Sequence, residues 1–424
     1  GNDMSARERL KKITSGKKIW CYGAGNYGKT VAYALLNIGA DLKGFIVTSK
    51  EGCRDTVLHK PVYELASLTI GKDDRILICV NTMLQMEMEE ELKKKGIKDY
   101  YFIAEEDIEE LDRTIEFNLE VSTDRYVNVL LYHRVCEMKN DIWNIAVTPD
   151  EFEKQMLYIK NNYKILKFED DWSNVKDKAV VITFDDGYLD NYLYAVPILK
   201  KYNIPATIFV STDNIGTNNE FWWDELESIF LDNDRLPDSL IYEGREYSLK
   251  TVEEKKSCCR SLRLSMMDMN ADSRQKQIER LRKRISVSNK QRIEYRTMNE
   301  EELCEISNIG CITIGAHTKS HCRLSSLDEL GMHDEIMGSK IRLENILGKK
   351  VTTFSYPFGN NKDYTDATIR EVEKCGFEKA AAVKGGLYLS GENRYEIPRN
   401  NIPGGTDLET FKKMLRKHWY EYSK

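Results

Sequence analysis

The nine residues VVITFDDGY, at positions 180–188, join an apolar run to two adjacent carboxylates. The run 179–184 predicts a buried strand. Burying an unpaired carboxylate is strongly unfavourable, so Asp185 and Asp186 are expected where this strand ends, facing a cleft, a metal or a cation. In parallel α/β barrels, the carboxyl ends of the strands carry the catalytic groups. Taken alone, an Asp-Asp-Gly sequence also fits a turn with a capping aspartate.

A second strand-like segment, residues 311–316, is followed directly by His317 and His321. If this segment turns helically, the i, i+4 spacing brings both imidazoles to one face, close enough to bind one metal ion. The chain has only six histidines, which makes the pair informative, although two unrelated surface histidines are the alternative. Together with an aspartate from another strand end, the pair predicts a three-ligand site with open coordination positions, as in catalytic zinc sites.

These two segments, TFDDG at 183–187 and HTKSH at 317–321, resemble the first two motifs of the polysaccharide deacetylases, carbohydrate esterase family 4. The similarity extends from about residue 126 to the C-terminus. Its further markers are YHRV at 132–135, PATIFV at 205–210, WWDEL at 222–226 and FSYPFG at 354–359. The resemblance implies an α/β protein whose residues 126–424 form a distorted (β/α) barrel. It also implies a metal-dependent hydrolase that removes acetyl groups from an N-acetylated sugar.

The resemblance assigns a role to each motif residue. Asp185 is the expected general base, which removes a proton from the attacking water. The expected ligands of a divalent ion, with zinc as the first candidate, are Asp186, His317 and His321. The backbone N–H of Phe358 is expected to stabilise the tetrahedral oxyanion. A turn rich in proline and glycine explains the stretch 356–359 equally well, and both descriptions can hold.

The chain departs from the family pattern at the third motif. Many members have an arginine two residues before the proline of that motif, and this chain has Ser355 there. Arg399, within IPRN at 397–400, is our candidate to supply the missing positive charge. A lone arginine is more often part of a structural ion pair.

A second departure concerns the general acid, which the family usually provides as a late histidine. The only histidine after His333 is His418, in a Lys/Arg/Tyr-rich tail that indicates a solvated helix face. His133 instead ends the apolar run 127–132, which resembles the biofilm poly-N-acetylglucosamine deacetylases, whose acid histidine precedes the Asp-Asp motif. An imidazole can donate a proton to a leaving amine near neutral pH. We therefore predict His133 as the acid, with a structural histidine beside Tyr132 as the alternative.

Between about residues 216 and 297, the sequence becomes charged and rich in Met, Lys and Arg. This composition predicts a helical insertion beside the active-site mouth, acting as a lid or a partner surface. The basic run at 273–284 could contact nucleic acid, but a net charge of −6 favours a solvated helix face, so no nucleic-acid partner is expected. Trp222 and Trp223 could stack on sugar rings or pack in the core.

The first 120 residues indicate a different domain. Strand-like residues 17–22 precede GAGNYG at 23–28 and a helical pattern, as in a Rossmann-like doubly wound domain. Gly23, Gly25 and Gly28 would permit a tight turn and the approach of a phosphate to the helix N-terminus.

The glycine pattern alone does not specify a ligand. The second strand, residues 42–47, is followed by Thr-Ser-Lys, without the acidic residue that binds a ribose in NAD-dependent proteins. A nucleotide or nucleotide-sugar site and an empty scaffold used for interactions both remain open. The acidic stretch 105–123 is expected to join the two domains.

Composition fits a globular protein, with 31% charged and 41% hydrophobic residues. No apolar run reaches the length of a membrane span, and the first residues lack an apolar signal core. Ten cysteines without a Cys-x-x-Cys pair fit reduced thiols. We therefore expect a cytoplasmic protein acting on an N-acetylated sugar in a nucleotide- or lipid-linked precursor. A catalytically silent sugar-binding or assembly protein and a hydrolase of another amide are the alternatives. The oligomeric state is not specified.

Overall fold

A computed structural model describes residues 3–51, 53–115 and 125–420. They form two compact units: the first comprises residues 3–115 together with 419–420, and the second comprises residues 125–418. The expected junction at 105–123 is partly wrong, because residues 105–114 form a helix that buries Ile108 and Leu111 in the first unit. The remainder of that stretch, from residue 116, lies outside the described residues. Within the described ranges, no helix is long and apolar enough to cross a membrane.

The first unit contains a six-stranded sheet in the order β3-β4-β2-β1-β5-β6, parallel except for the β3–β4 pair. Its strands are β1 (Lys18–Tyr22), β2 (Asp41–Val47), β3 (Thr56–Val57), β4 (Lys60–Glu64), β5 (Asp74–Ile78) and β6 (Tyr100–Phe102). Its helices are α1 (Ala6–Thr14), α2 (Asn26–Asn37), α3 (Thr82–Lys94) and α4 (Glu105–Thr114). Leu10, Val31 and Leu111 belong to one apolar cluster and Leu92 to a second, so helices cover both faces of the sheet.

The second unit is built around a parallel barrel. Its strands are β7 (Tyr126–Tyr132), β8 (Arg134–Val135), β9 (Ala146–Val147), β10 (Lys164–Leu166), β11 (Ala179–Asp186), β12 (Ala206–Val210), β13 (Ser239–Tyr242), β14 (Arg245–Ser248), β15 (Ile312–Ala316), β16 (Thr353–Ser355), β17 (Lys379–Ala381), β18 (Tyr388–Leu389) and β19 (Asn400–Asn401). Its helices are α5 (Pro149–Asn162), α6 (Val196–Lys201), α7 (Trp222–Leu231), α8 (Val252–Met266), α9 (Ala271–Ile285), α10 (Glu300–Ser307), α11 (Glu329–Leu347), α12 (Asp366–Lys374) and α13 (Leu408–Tyr420).

The barrel runs in the order β7, β11, β12, β15, β16, β17, all parallel. Residues 397–401 close it, because Ile397 pairs with Ala381 of β17 while β19 pairs with Leu130 and Leu131 of β7. The expected distorted (β/α) barrel is therefore confirmed. Every residue of β11 is buried, as its apolar run predicts.

The insertion at 216–297 has its own apolar cluster, which includes Leu226, Cys259 and Leu281. Helices α7, α8 and α9 supply most of this cluster. The insertion is not wholly helical as expected, since β13 and β14 form an antiparallel hairpin. The insertion is therefore a packed layer with its own core.

His418 is half-buried, and its Nδ1 lies 3.1 Å from Asn128 Nδ2. The expectation of a solvated position is wrong, because α13 turns this side chain toward β7. Asn128 lies near the beginning of β7, whereas the two aspartates lie at the end of the parallel neighbour β11. His418 is thus at the opposite end of the barrel from the aspartates.

Candidate active site

Asp185 and Asp186 are the last two residues of β11, and both side chains are buried. The chain leaves the strand through positive φ at Asp186 and Gly187, each +83°. A left-handed φ at a non-glycine residue is costly and is typical of functional sites. The turn separates the two carboxylates, which contact different partners.

Asp186 meets both predicted histidines. Its Oδ1 lies 3.3 Å from His317 Nε2 and 3.1 Å from His321 Nε2, and all three side chains are buried. The histidines do not follow a helical turn as expected. They converge through a loop with positive φ at Thr318 and His321, in which the His321 N–H donates to Thr318 Oγ1 at 3.0 Å.

The donor set fits a divalent cation. Asp186 Oδ1 is buried without a hydrogen-bond donor among the described residues, between two imidazole nitrogens. His317 Nδ1–H donates to the Ser355 carbonyl at 2.7 Å, so its Nε2 is left with the lone pair. One carboxylate and two imidazoles, with further positions open, are typical of catalytic zinc sites.

The same geometry sets the charge on Asp186. Burial raises the pKa of the Asp186 carboxyl, but its electrostatic interactions with His321 and then His317 outweigh burial and hold the pKa well below its ordinary value. Asp186 is therefore a carboxylate, the form that binds a metal.

Asp185 is held by Arg399. The guanidinium donates through Nη1 to Asp185 Oδ1 at 2.8 Å and through Nη2 to Oδ2 at 2.7 Å. Ser355 Oγ lies 3.2 Å from each carboxylate oxygen and accepts from Arg399 Nη2 at 2.8 Å. Burial raises the pKa of Asp185, but Arg399 and then His317 outweigh it, so the pKa is lowered. The candidate base is thus fixed in position and ionised.

His133 follows β7 at the same end of the barrel. Asn191 Nδ2 donates to its backbone carbonyl at 2.9 Å, and His133 Nδ1 is buried without a partner among the described residues. For the pKa of Asp185 the largest effects come from burial and Arg399, and for that of Asp186 they come from burial and His321. His133 makes a smaller contribution that lowers both pKa values. His133 therefore lies within electrostatic range of the candidate base Asp185 and of the candidate metal ligand Asp186.

Phe358 follows β16 with φ +64°, before Gly359 at φ +68°. A Cβ at Gly359 would lie 2.3 Å from Val383 Cγ2, so only glycine fits. The Phe358 ring packs edge-on against His321, with centroids 4.9 Å apart. Its backbone N–H donates to no group within the described part of the chain, which leaves it available to an oxyanion.

Trp222 and Trp223 are both buried, so packing is the role that the structure shows. Trp223 stacks on Phe221 at 4.5 Å, and its ring lies 4.5 Å from that of His321. Its Nε1–H donates to Tyr188 Oη at 2.9 Å. The insertion therefore supplies the wall behind His321, a candidate metal ligand.

The predicted phosphate-binding glycines lie together at the turn from β1 to α2. A Cβ at Gly23, where φ is +119°, would lie 2.6 Å from the Cys79 carbonyl oxygen. A Cβ at Gly28 would lie 1.8 Å from the Gly23 carbonyl oxygen. No heavy atom would lie within 4 Å of a Cβ at Gly25, the N-cap of α2. Gly23 and Gly28 are thus required for packing, whereas Gly25 faces open space.

The sequence interpretation missed three polar or aromatic contributors to the barrel mouth. It treated Ser355 only as the position of a missing arginine, although its hydroxyl bonds to Asp185. It assigned nothing to Trp143 or to Arg263 of α8, which pack together beside Phe358. No local pattern marks these residues, since they come from three distant segments.

Residues 173–253 and 263–380 match the family described as Polysaccharide deacetylase. The Bacillus subtilis protein YxkH, which bears that family name, is 22% identical over 290 residues, covering 67% of this chain and 74% of the relative. The poly-beta-1,6-N-acetyl-D-glucosamine N-deacetylase of Staphylococcus epidermidis is 38% identical over 86 residues, covering 19% of this chain and 29% of that enzyme. The chain therefore contains a polysaccharide deacetylase domain of carbohydrate esterase family 4, as its motifs predict.

Solved structures of similar proteins were also found. The deacetylase PplD of Streptococcus pyogenes, in complex with acetate, is 18% identical, with a TM-score of 0.46 over 70% of this chain and 99% of that one. The polysaccharide deacetylase BC0361 of Bacillus cereus is 22% identical, with a TM-score of 0.45 over 69% of each chain.

Proposed function

We propose that this chain is a metal-dependent hydrolase that removes the acetyl group from an N-acetylated sugar. One observation carries the proposal: two adjacent carboxylates are separated into two environments. Asp186 Oδ1 lies between two imidazole nitrogens, whereas Asp185 is held by Arg399. A ligand and a base are the two functions that this chemistry requires of carboxylates.

Asp186, His317 and His321 would hold the divalent ion, with zinc as the first candidate. When bound, the ion would supply a Lewis acid that polarises the acetyl carbonyl and acidifies water. Asp185 would take a proton from the attacking water as the water oxygen bonds to the carbonyl carbon. Arg399 and Ser355 would keep that carboxylate ionised and correctly oriented.

Two further groups would complete the reaction. The Phe358 N–H would donate to the oxygen that becomes negative in the tetrahedral state. His133 would give a proton to the amide nitrogen as the carbon–nitrogen bond breaks. The products are acetate and the free amino sugar.

The proposed location is the cytoplasm, and the proposed substrate is a nucleotide- or lipid-linked precursor of a surface glycan. Support comes from the composition, since ten cysteines without a Cys-x-x-Cys pair fit reduced thiols. A cytoplasmic enzyme meets precursors before a finished polysaccharide is exported.

The test combines metal analysis with acetate release from N-acetylglucosamine oligomers and from UDP-N-acetylhexosamines. The wild type should release acetate, and Asp185→Asn should not. A metal-loaded preparation that is inactive on every sugar would support a silent sugar-binding or assembly protein. Activity confined to another amide would support the alternative hydrolase.

For the first unit, we propose a Rossmann-like domain that binds a nucleotide at Gly23, Gly25 and Gly28. Support comes from the open space at Gly25 beside two glycines required for packing. Gly25→Ala should leave the unfolding temperature almost unchanged, because no heavy atom lies within 4 Å of the added Cβ, yet it should hinder the approach of a phosphate. Thermal shift with nucleotides and dinucleotides is the measurement. Equal shifts in both proteins would exclude a site at Gly25, and no shift in the wild type would favour an interaction scaffold.

A further inference from the structure

Arg263 of α8 is a half-buried arginine with no oxygen acceptor among residues 3–51, 53–115 and 125–420. Its one hydrogen-bond contact joins Nη1 to the weak acceptor Met267 Sδ at 3.7 Å. Its guanidinium carbon lies 5.5 Å from the ring centroid of Trp143 and 5.6 Å from that of Phe358. These rings stabilise the charge but leave most of its N–H donors unsatisfied.

Both rings connect Arg263 to the metal-ligand histidine. Phe358 packs on His321 at 4.9 Å between centroids, and Trp143 donates through Nε1 to the Trp223 carbonyl at 3.2 Å. Trp143, Arg263 and Phe358 are all half-exposed, so they form a rim rather than a closed core. The rim joins the insertion to two loops of the barrel mouth.

The neighbouring charges do not account for Arg263. Burial lowers the pKa of Arg263. The negative charges of Asp363 and Asp186, neither of which is hydrogen-bonded to Arg263, partly offset this effect. Asp363 is already bonded to Arg323 Nε at 2.9 Å, and Asp186 faces the two histidines. Within the described ranges, neither of these two carboxylates therefore pairs with Arg263.

Three other buried or half-buried arginines of this unit have oxygen acceptors. Arg134 pairs with Asp190 at 2.8 Å, and Arg292 pairs with Glu220 at 2.7 Å. Arg274 donates to the Ser320 carbonyl at 2.8 Å. Partial burial of a guanidinium costs free energy unless the group is paired, so the half-buried Arg263 at the mouth indicates a partner that comes from the ligand.

We propose that Arg263 binds an anionic group of the substrate, a carboxylate or a phosphate carried by the N-acetylated sugar. The planar guanidinium matches both anions with paired N–H donors. The inference rests on the proposed function, because it treats the barrel mouth as a sugar site. It assigns the insertion a role in substrate selection.

The test compares kcat/KM for N-acetylglucosamine with that for N-acetylglucosamine 6-phosphate and for N-acetylglucosaminuronate. In the wild type, we expect at least one anionic sugar to be favoured by tenfold or more. Arg263→Gln should reduce that ratio at least tenfold, and Arg263→Lys should retain part of it. The exposed Arg260 lies on the same helix, and Arg260→Gln removes the same charge and should keep the wild-type ratio. Comparing the 6-phosphate with the uronate shows whether the site prefers a phosphate or a carboxylate.

Binding of the deacetylated sugars separates this inference from the proposed function. Calorimetry with glucosamine and glucosamine 6-phosphate requires no turnover. A preference for the phosphate that Arg263→Gln removes supports the anion site even if acetate release fails. Acetate release with equal ratios in the wild type and Arg263→Gln overturns the anion site and leaves the hydrolase intact. A wild type that favours neither anion in kinetics or binding also overturns it.

Discussion

Arg399 and Asp185 form a buried, two-pronged ion pair, with Nη1–Oδ1 at 2.8 Å and Nη2–Oδ2 at 2.7 Å. Arg399 lies in the segment 397–401, which closes the barrel between β17 and β7. Ser355, at the position where many family members have an arginine, bonds to the same carboxylate. The barrel-closing segment thus supplies the charge that the third motif lacks.

Arg399→Met should reduce kcat for acetate release by about 100-fold, in the range expected when a general base is lost. Burial raises the pKa of Asp185 and Arg399 opposes it, so the substitution should move the acid limb of the pH–rate profile to higher pH. Metal content should stay constant, since Arg399 does not contact the ligands. Arg394→Met, at an exposed site, is the matched control. A loss smaller than threefold would contradict the assignment.

Asp186→Asn and His317→Ala should each abolish tight binding of the divalent ion, because three ligands are the minimum of such a site. Elemental analysis after dialysis should find about one equivalent in the wild type and almost none in the variants. The exposed His59 is a control, and His59→Ala should keep the metal. A chelator should remove the activity, and added zinc should restore it. Full metal content in both ligand variants would exclude this site.

His133→Gln should distinguish a general acid from a structural histidine. With an N-acetylated sugar, whose amine is a poor leaving group, the rate should fall by about 100-fold or more. With 4-nitrophenyl acetate, whose leaving group needs no proton, the rate should fall much less. Asp185→Asn should slow both reactions, since each needs the base. If His133→Gln reduced the rate equally on the two substrates, His133 would have a structural role.

Asp224 should make the stability of the second unit depend on pH. Burial raises its pKa from 3.8 to about 8, so the folded state keeps a proton that the unfolded state releases. The free energy of unfolding should therefore fall as pH rises between these values. Asp224→Asn has no carboxyl group at this position, so its free energy of unfolding should not fall in this way. The difference in Tm between Asp224→Asn and the wild type should therefore increase from pH 5 to pH 8, by about 2–4 °C for each kcal/mol that the wild type loses.

The control for this titration is Asp232→Asn, at an exposed position that ends the same helix, α7. Its Tm difference from the wild type should stay constant over the same pH range. A constant difference for Asp224→Asn as well would show that Asp224 is ionised in the folded protein.

Local sequence patterns were sufficient to predict the strand β11, its terminal aspartates and the histidine pair after β15. These features are local, since an apolar run buries itself and polar residues directly after it must lie at the strand end. The same patterns also pointed to His133, because it ends the apolar run 127–132, and the structure places that run in β7, the parallel neighbour of β11.

Other features of the site depend on contacts between distant segments. The sequence named Arg399 as a candidate, but only barrel closure brings it to Asp185, 214 positions away. The histidine loop follows left-handed φ values rather than a helical turn, and α13 turns His418 toward β7. Arg263 has no sequence signal, because its setting arises from three distant segments. Contacts between distant segments depend on packing and closure, which short-range periodicity does not encode.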